Sequence, residues 1–142
     1  MLRRLTATSG YWAAVPLRLA LGVAFIGHGA QKVLGLFNGP GFARFTSYPA
    51  PFSFMRPAWL WMGAAAISEL IGGVLVLLGF LTRVGAFLIT CVMLVAIIGV
   101  KWPVFFAPEG MELAVAFLGT AFALLVIGGG QMSVDRMVGR RR

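Results

Sequence analysis

Residues 58 to 100 form two apolar stretches, 58–81 and 83–100, interrupted only around Thr82 and Arg83. About 20 helical residues at ~1.5 Å rise cross a hydrocarbon core ~30 Å thick, so each stretch is long enough to span a bilayer. So short an interruption forces a tight helical hairpin whose two arms pack side by side and antiparallel. Two further stretches, 13–36 and 111–130, make a set of four. Charged residues make up 11% of the chain, against about 25% in a soluble domain. Lipid rather than water must therefore face most of the surface. The expectation is an all-α integral membrane protein, with one domain over residues 1–142. Four transmembrane helices form an antiparallel bundle, a long outer loop joins the first two, and a basic cytoplasmic tail covers 136–142.

Arg3 and Arg4 ahead of the first stretch suggest a secretory signal, but the stretch carries Arg18, His28 and Lys32 and runs on to Leu36. It reads as an uncleaved first span. Lys and Arg are retained on the cytoplasmic side of short loops. With both termini inside, that side holds Arg3, Arg4, Arg83, Arg136, Arg140, Arg141 and Arg142, and the outer loops hold Arg44, Arg56 and Lys101. The net charge of +8 then serves topology and attraction to anionic lipid headgroups. Nothing resembles a base-reading module, so nucleic acid is not an expected partner.

Ionisable residues inside the spans are the candidate functional groups. An acid at bilayer depth costs on the order of 3 kcal/mol and by default marks a functional site. Glu69 sits in a run with no basic residue nearby in sequence. At ~1.5 Å per residue, Glu69 lies about 18 Å above Leu81 and His28 about 22 Å above Ala13, which makes them level, with Arg18 at about 8 Å. His28 and Arg18 are thus candidate partners for Glu69. Lys32, Gln31 and Glu112 share a higher stratum, where Lys32 and Glu112 form a second candidate pair. Against these stand plainer roles: a neutral core His28, an Arg18 or Lys32 snorkelling to the headgroups, and a Glu112 complementing a helix dipole.

Small residues mark close packing. Ala64, Ser68 and Gly72, with Ala65 and Gly73 alongside, smooth one face of the second helix, and Gly22 and Gly29 smooth the first. These faces are expected to meet. The loop 37–57, rich in Phe and Pro, is too long for a mere link and is expected to be a lid or an aromatic segment flat in the interface. Lys101–Gly110 is expected to be only a connector.

Cys91 is the single cysteine, which excludes an intrachain dithiol. His28 is the single histidine, which excludes bis-histidine haem ligation within the chain. No phosphate loop, nucleophile elbow or metal-ligand spacing is present, so no metal site is expected. Electron chemistry here needs a diffusible cofactor or a partner.

The run Gly27-His28-Gly29-Ala30-Gln31-Lys32, then Glu69-Leu70-Ile71-Gly72-Gly73, then Leu78-Gly79-Phe80-Leu81-Thr82-Arg83 resembles the DoxX family. So does the ending Gly128-Gly129-Gly130-Gln131-Met132-Ser133-Val134-Asp135. Arg18 and Glu112 fall where that family has a basic and an acidic residue, and a proline frequent in its terminal glycine stretch is absent. The resemblance implies a multi-pass protein of the bacterial inner membrane linked to quinone-coupled sulfur, thiol or oxidative-stress chemistry. It would act as a non-autonomous subunit beside a soluble or membrane redox enzyme, or as a homo-oligomer. The leading expectation is a quinone pocket lined by Arg18, His28, Gln31, Lys32, Glu69 and Glu112, with Glu69 and His28 moving protons. The alternatives are a structural scaffold that recruits redox enzymes and a small proton-coupled transporter.

Overall fold

In the computed structural model of the chain, the described residues are 10–106, 108 and 110–140. Arg3, Arg4, Arg141 and Arg142, counted above in the orientation argument, lie outside them. Among the described residues there is no strand. The helices are α1 (Ala14–Leu34), α2 (Gly41–Thr46), α3 (Ala58–Leu78), α4 (Thr82–Val95), α5 (Glu112–Ile127) and α6 (Val134–Arg140). A π-helical segment, Ala96–Lys101, prolongs α4. Among the described residues two helices are long and apolar enough to cross a membrane: α3, and α4 with its prolongation. α5 is shorter and apolar.

The helix ends follow from backbone chemistry. α1 closes at Gly35 (φ 70°) and α3 at Gly79 (φ 68°), where a residue without Cβ adopts the left-handed conformation and returns its N–H to the last turn. The hairpin between α3 and α4 needs a second left-handed residue, Leu81 (φ 46°), a strained choice for a branched side chain. Asp135 holds it there. One carboxylate oxygen accepts from Leu81 N–H at 2.8 Å, and the other accepts from Thr82 N–H at 2.9 Å and the Thr82 hydroxyl at 2.8 Å. Asp135 thus caps α4 from the far end of the chain. Ser133 caps α6, its hydroxyl accepting from Arg136 N–H at 3.2 Å.

α1, α3, α4 and α5 form a ring in which each packs on the next, with the α1–α5 seam the most sparsely packed. Leu21, Phe25, Val76, Ala86, Ile89, Ala121 and Leu124 fill the centre. Gly22 lies against Leu77 and Gly29 against Leu70, so position falls on one helix as it rises on the other and the pair is antiparallel. Gly73 meets the backbone of Phe25 and Ile26, whereas Gly72 faces Gly85 and Ile89 on α4. The glycine contact between α1 and α3 is therefore real, but the stripe differs from Ala64-Ser68-Gly72. Ala64 is exposed, and the buried stripe is Gly63, Ala66, Glu69, Gly72, Gly73 and Val76. Period 3.6 alternates steps of three and four, so a strict step of four drifts off the contact face.

A Cβ on Gly29 would stand 2.5 Å from the Leu70 backbone, and on Gly27 it would meet nothing within 4 Å. Gly29→Ala is expected to lose roughly 1–3 kcal/mol by overpacking, and Gly27→Ala to stay within about 0.5 kcal/mol of wild type. Unfolding in detergent compares them, and equal stability of the two would refute this account of the contact.

The segment 37–57 packs against the spanning helices at several points. Within it, Phe42 and Thr46 of α2 touch Gly63 of α3, and Pro51 and Phe52 lie against Gly99 in the π-helical segment. Met55 is buried.

A buried ion pair in a cavity between α1, α4 and α5

Glu69, on the buried stripe of α3, is 2% exposed, and its partner is Lys32. The Lys32 ammonium stands 2.6 Å from each carboxylate oxygen. It also lies 5.2 Å from the centroid of the Phe45 ring on α2, within cation–π range. The covering segment thereby touches the ion pair directly.

This arrangement corrects three expected pairings. Counting Cα heights set Lys32 above Glu69, but helical side chains lean toward the N-terminus, and the long lysine stem descends to the carboxylate. Lys32 is thus engaged by Glu69 rather than by Glu112. His28 makes no hydrogen bond to Glu69; its ring packs edge-on against Phe25 and Phe117, with centroids 6.1 and 6.3 Å away. Arg18 is committed elsewhere.

Arg18, 5% exposed, fastens the opposite end of the bundle. Its Nε donates to Val76 O at 3.0 Å and Nη2 to Leu77 O at 2.8 Å. Nη1 faces Gly129 O, Gln131 O and Met132 O at 3.1, 3.2 and 3.3 Å. The last turn of a helix offers carbonyls with no partner of their own, at the negative end of its dipole. One guanidinium fork serves the end of α3 and the glycine-rich turn after α5 together. Gly79 permits it, since a Cβ there would sit 2.6 Å from Arg18 Cζ. Arg83 does the same for α5, donating to Leu125 O at 2.9 Å and Val126 O at 2.8 Å.

A cavity of about 660 Å³ opens beside the ion pair. Five ionisable residues line it: His28, Lys32, Glu69, Lys101 and Glu112. Phe25, Met93, Ala96, Ala114 and Phe117 supply much of its apolar wall. Of the six residues expected at a pocket, it brings together four; Arg18 and Gln31 are not among its lining residues. Gln31 instead packs against Gly39, whose Cβ would collide with its backbone. The short loop after α4 is more than a connector, because Lys101, Pro108 and Gly110 line the cavity and Lys101 Nζ donates to Gly110 O at 3.1 Å. The sequence signal for Lys101 was its position across one short loop from Glu112, which places both at the same end of adjacent helices. Ala96, the first residue of the π-helical segment, lies on the wall, and such segments recur at functional sites.

Chemically, the cavity is a largely apolar, aromatic-lined space with Lys32, Lys101 and His28 among its lining residues. Lys32 keeps one N–H beyond the two directed at Glu69, and His28 makes no hydrogen bond to another described residue. Both can serve an oxygen acceptor. No group of three or more His, Cys, Asp or Glu suited to a metal occurs among the described residues.

The family model described as DoxX matches residues 13–102. That stretch carries α1 through the π-helical segment, and with them His28, Lys32 and Glu69. Comparison with curated proteins and with solved structures gives no match.

Proposed function

The chain belongs to the DoxX family of membrane proteins, and from that premise we propose that it is a membrane subunit of a redox system whose cavity takes a quinone-type carbonyl ligand. The observation that supports this reading is the Lys32–Glu69 pair on the wall of an aromatic cavity, with His28 beside it. Buried charge is costly in a membrane and is retained where it serves a ligand or proton path. The cavity suits a flat ring with polar oxygens, since ligand sites are mostly apolar with a few converging polar groups.

A bound quinone supplies two-electron, two-proton carbonyl chemistry, with the electrons passing to or from a separate redox protein. The roles of this chain are to bind and to handle protons. Lys32 donates its remaining N–H to a carbonyl oxygen while Glu69 fixes the ammonium in place. His28, which can both give and accept a proton, serves a second oxygen. Lys101 and Glu112 connect the cavity to its mouth. The protein is a multi-pass protein of the bacterial inner membrane, α1, α3, α4 and α5 being its four spans. The Arg18 and Asp135 end faces the cytoplasm, as the positive-inside rule requires.

His28→Phe separates chemistry from packing, because a phenyl ring preserves the edge contacts with Phe25 and Phe117 and removes both nitrogens. Quinone affinity is expected to fall about tenfold, the loss of one good hydrogen bond, with unfolding unchanged. Purified wild type free of co-extracted quinone, together with equal quinone binding by the variant, would end this reading.

A further inference from the structure

The cavity wall changes character along the helix axes. On α1 Phe25 precedes Lys32, on α4 and its prolongation Met93 precedes Lys101, and on α5, which runs the opposite way, Phe117 follows Glu112. The wall is thus apolar toward the middle of the bundle and charged toward one end. The π-helical segment keeps Lys101 on this wall. In an α-helix a step of five, as from Ala96 to Lys101, carries a side chain about 140° past a full turn, whereas i→i+5 hydrogen bonding brings it nearly back over its starting point. At the charged end Pro108 and Glu112 are exposed, and Trp102, Phe105 and Phe106 of the adjoining loop are exposed as in the belt where hydrocarbon meets water. The opposite end is closed. Leu21, Val76, Ala86, Ile89, Ala121 and Leu124 make a fully buried floor. Arg18 lies ten residues from His28 on α1, ~15 Å at the helical rise. Across that interval α1, α3 and α5 carry no ionisable side chain, and the one on α4, Cys91, is exposed on the bundle surface. The hydroxyls of Thr90 and Thr120 donate to carbonyls of their own helices, at 2.8 and 2.9 Å. His28 is exposed, but a turn below Lys32, where hydrocarbon surrounds the bundle and holds no water.

We infer that water and protons reach the Lys32–Glu69 pair from one end only, past Lys101 and Glu112, and that the apolar floor bars exchange with the Arg18 end. The charged and titratable groups facing the pair are His28 on the same helix, Lys101 on the prolongation of α4 and Glu112 on α5, while α2 presents the neutral ring of Phe45. In the orientation given above, the open end faces outward. Protons that a bound ring takes up or releases are therefore exchanged with the outer face. A continuous path across the membrane, which a proton-coupled transporter needs, is broken at the floor. Only the identity of the ligand rests on the quinone-type reading; the one-sided opening rests on the wall and the floor.

The test uses full-length protein in sealed vesicles, with Cys91→Ala as background and a charged, membrane-impermeant methanethiosulfonate as probe. Only the thiolate reacts, and a thiolate forms where water reaches it. Phe106→Cys and Gly139→Cys, at exposed positions on opposite ends, report which end faces the reagent. Ala96→Cys and Ala114→Cys on the cavity wall are expected to label when the Phe106 end is outside and to lose that labelling when the Gly139 end is. Ala86→Cys and Ala121→Cys in the floor are expected to stay unlabelled from both ends, and two positions are used in case one variant fails to fold. Labelling of the wall positions from the Gly139 end, from both ends or from neither would overturn one-sided access. So would labelling of either floor position in a folded variant. Tetramethylbenzoquinone, whose ring has no free carbon to add a thiol, should at about ten times its Kd slow labelling of the wall positions roughly tenfold by filling the cavity. Absence of that protection, with the end-specific pattern intact, would remove the quinone-type reading and leave the one-sided opening standing.

Discussion

Lys32→Met is expected to destabilise the protein by about 3–5 kcal/mol, the cost of leaving a buried charge uncompensated. The two halves of the pair are unequal. Glu69 is 2% exposed and fixed on a helix, whereas the Lys32 side chain is 26% exposed beside an open cavity and an aromatic ring. With lysine gone, the carboxylate loses the cation it pairs with and must be neutralised or drag water into the bundle. With the acid gone, the ammonium can swing into the cavity or outward along its stem. Glu69→Leu should therefore cost less than Lys32→Met. The double variant Lys32→Met with Glu69→Leu should recover most of the loss, because an apolar pair of similar volume replaces an ion pair at little net cost. Unfolding of the three variants and wild type in one detergent forms a double-mutant cycle. Additive losses in the double variant would show that the 2.6 Å contact carries no coupling.

Arg18→Met should produce the other large effect, for a different reason. No carboxylate is the principal partner here; the acceptors are five backbone carbonyls, at Val76, Leu77, Gly129, Gln131 and Met132. Val76 O keeps the Gly79 N–H at 3.1 Å, so four carbonyls lose their donor; at roughly 1–3 kcal/mol for each one that water cannot reach, the total should be on the order of 4 kcal/mol. Arg18→Lys is expected to recover little, since one ammonium cannot occupy the three positions that Nε, Nη1 and Nη2 hold. Hydrogen exchange gives the diagnostic readout. Protection should fall at the end of α3 and in 128–135 well before it falls around Glu69. Uniform loss across the bundle would mean that Arg18 supports the whole core rather than this junction.

Much of the helical framework was legible because it depends on local signals: long apolar runs and glycines where two backbones approach; the break expected at Thr82 and Arg83 falls three residues earlier, at Gly79 to Leu81, where two left-handed residues end one helix before Thr82 starts the next. The side-chain pairings were not. Height along a helix is a property of Cα atoms, and a lysine displaces its charge by more than a turn, so Lys32 fell outside the stratum to which it delivers its ammonium. Arg18 was opaque for a deeper reason. Its acceptors are main-chain oxygens, which carry no residue signature and converge only once α3 and the 128–132 turn lie side by side. Asp135 was noticed only as part of a resemblance, although its carboxylate holds a strained leucine more than fifty residues earlier in the chain. In the covering segment the aromatic content was plain, but what the rings pack against depends on Gly63 and Gly99 of distant helices.

The junction around Arg18 also sets an order of events during synthesis. The guanidinium enters with the first helix, yet three of its acceptors lie at positions 129 to 132 and are translated 111 to 114 residues later. Until the ribosome has made them, the nascent protein holds an unsatisfied cation near one end of α1, and the hairpin at Leu81 waits for the aspartate that secures it. Closure of this junction thus waits for the glycine turn, and a nascent product stalled before it leaves the Arg18 fork half filled.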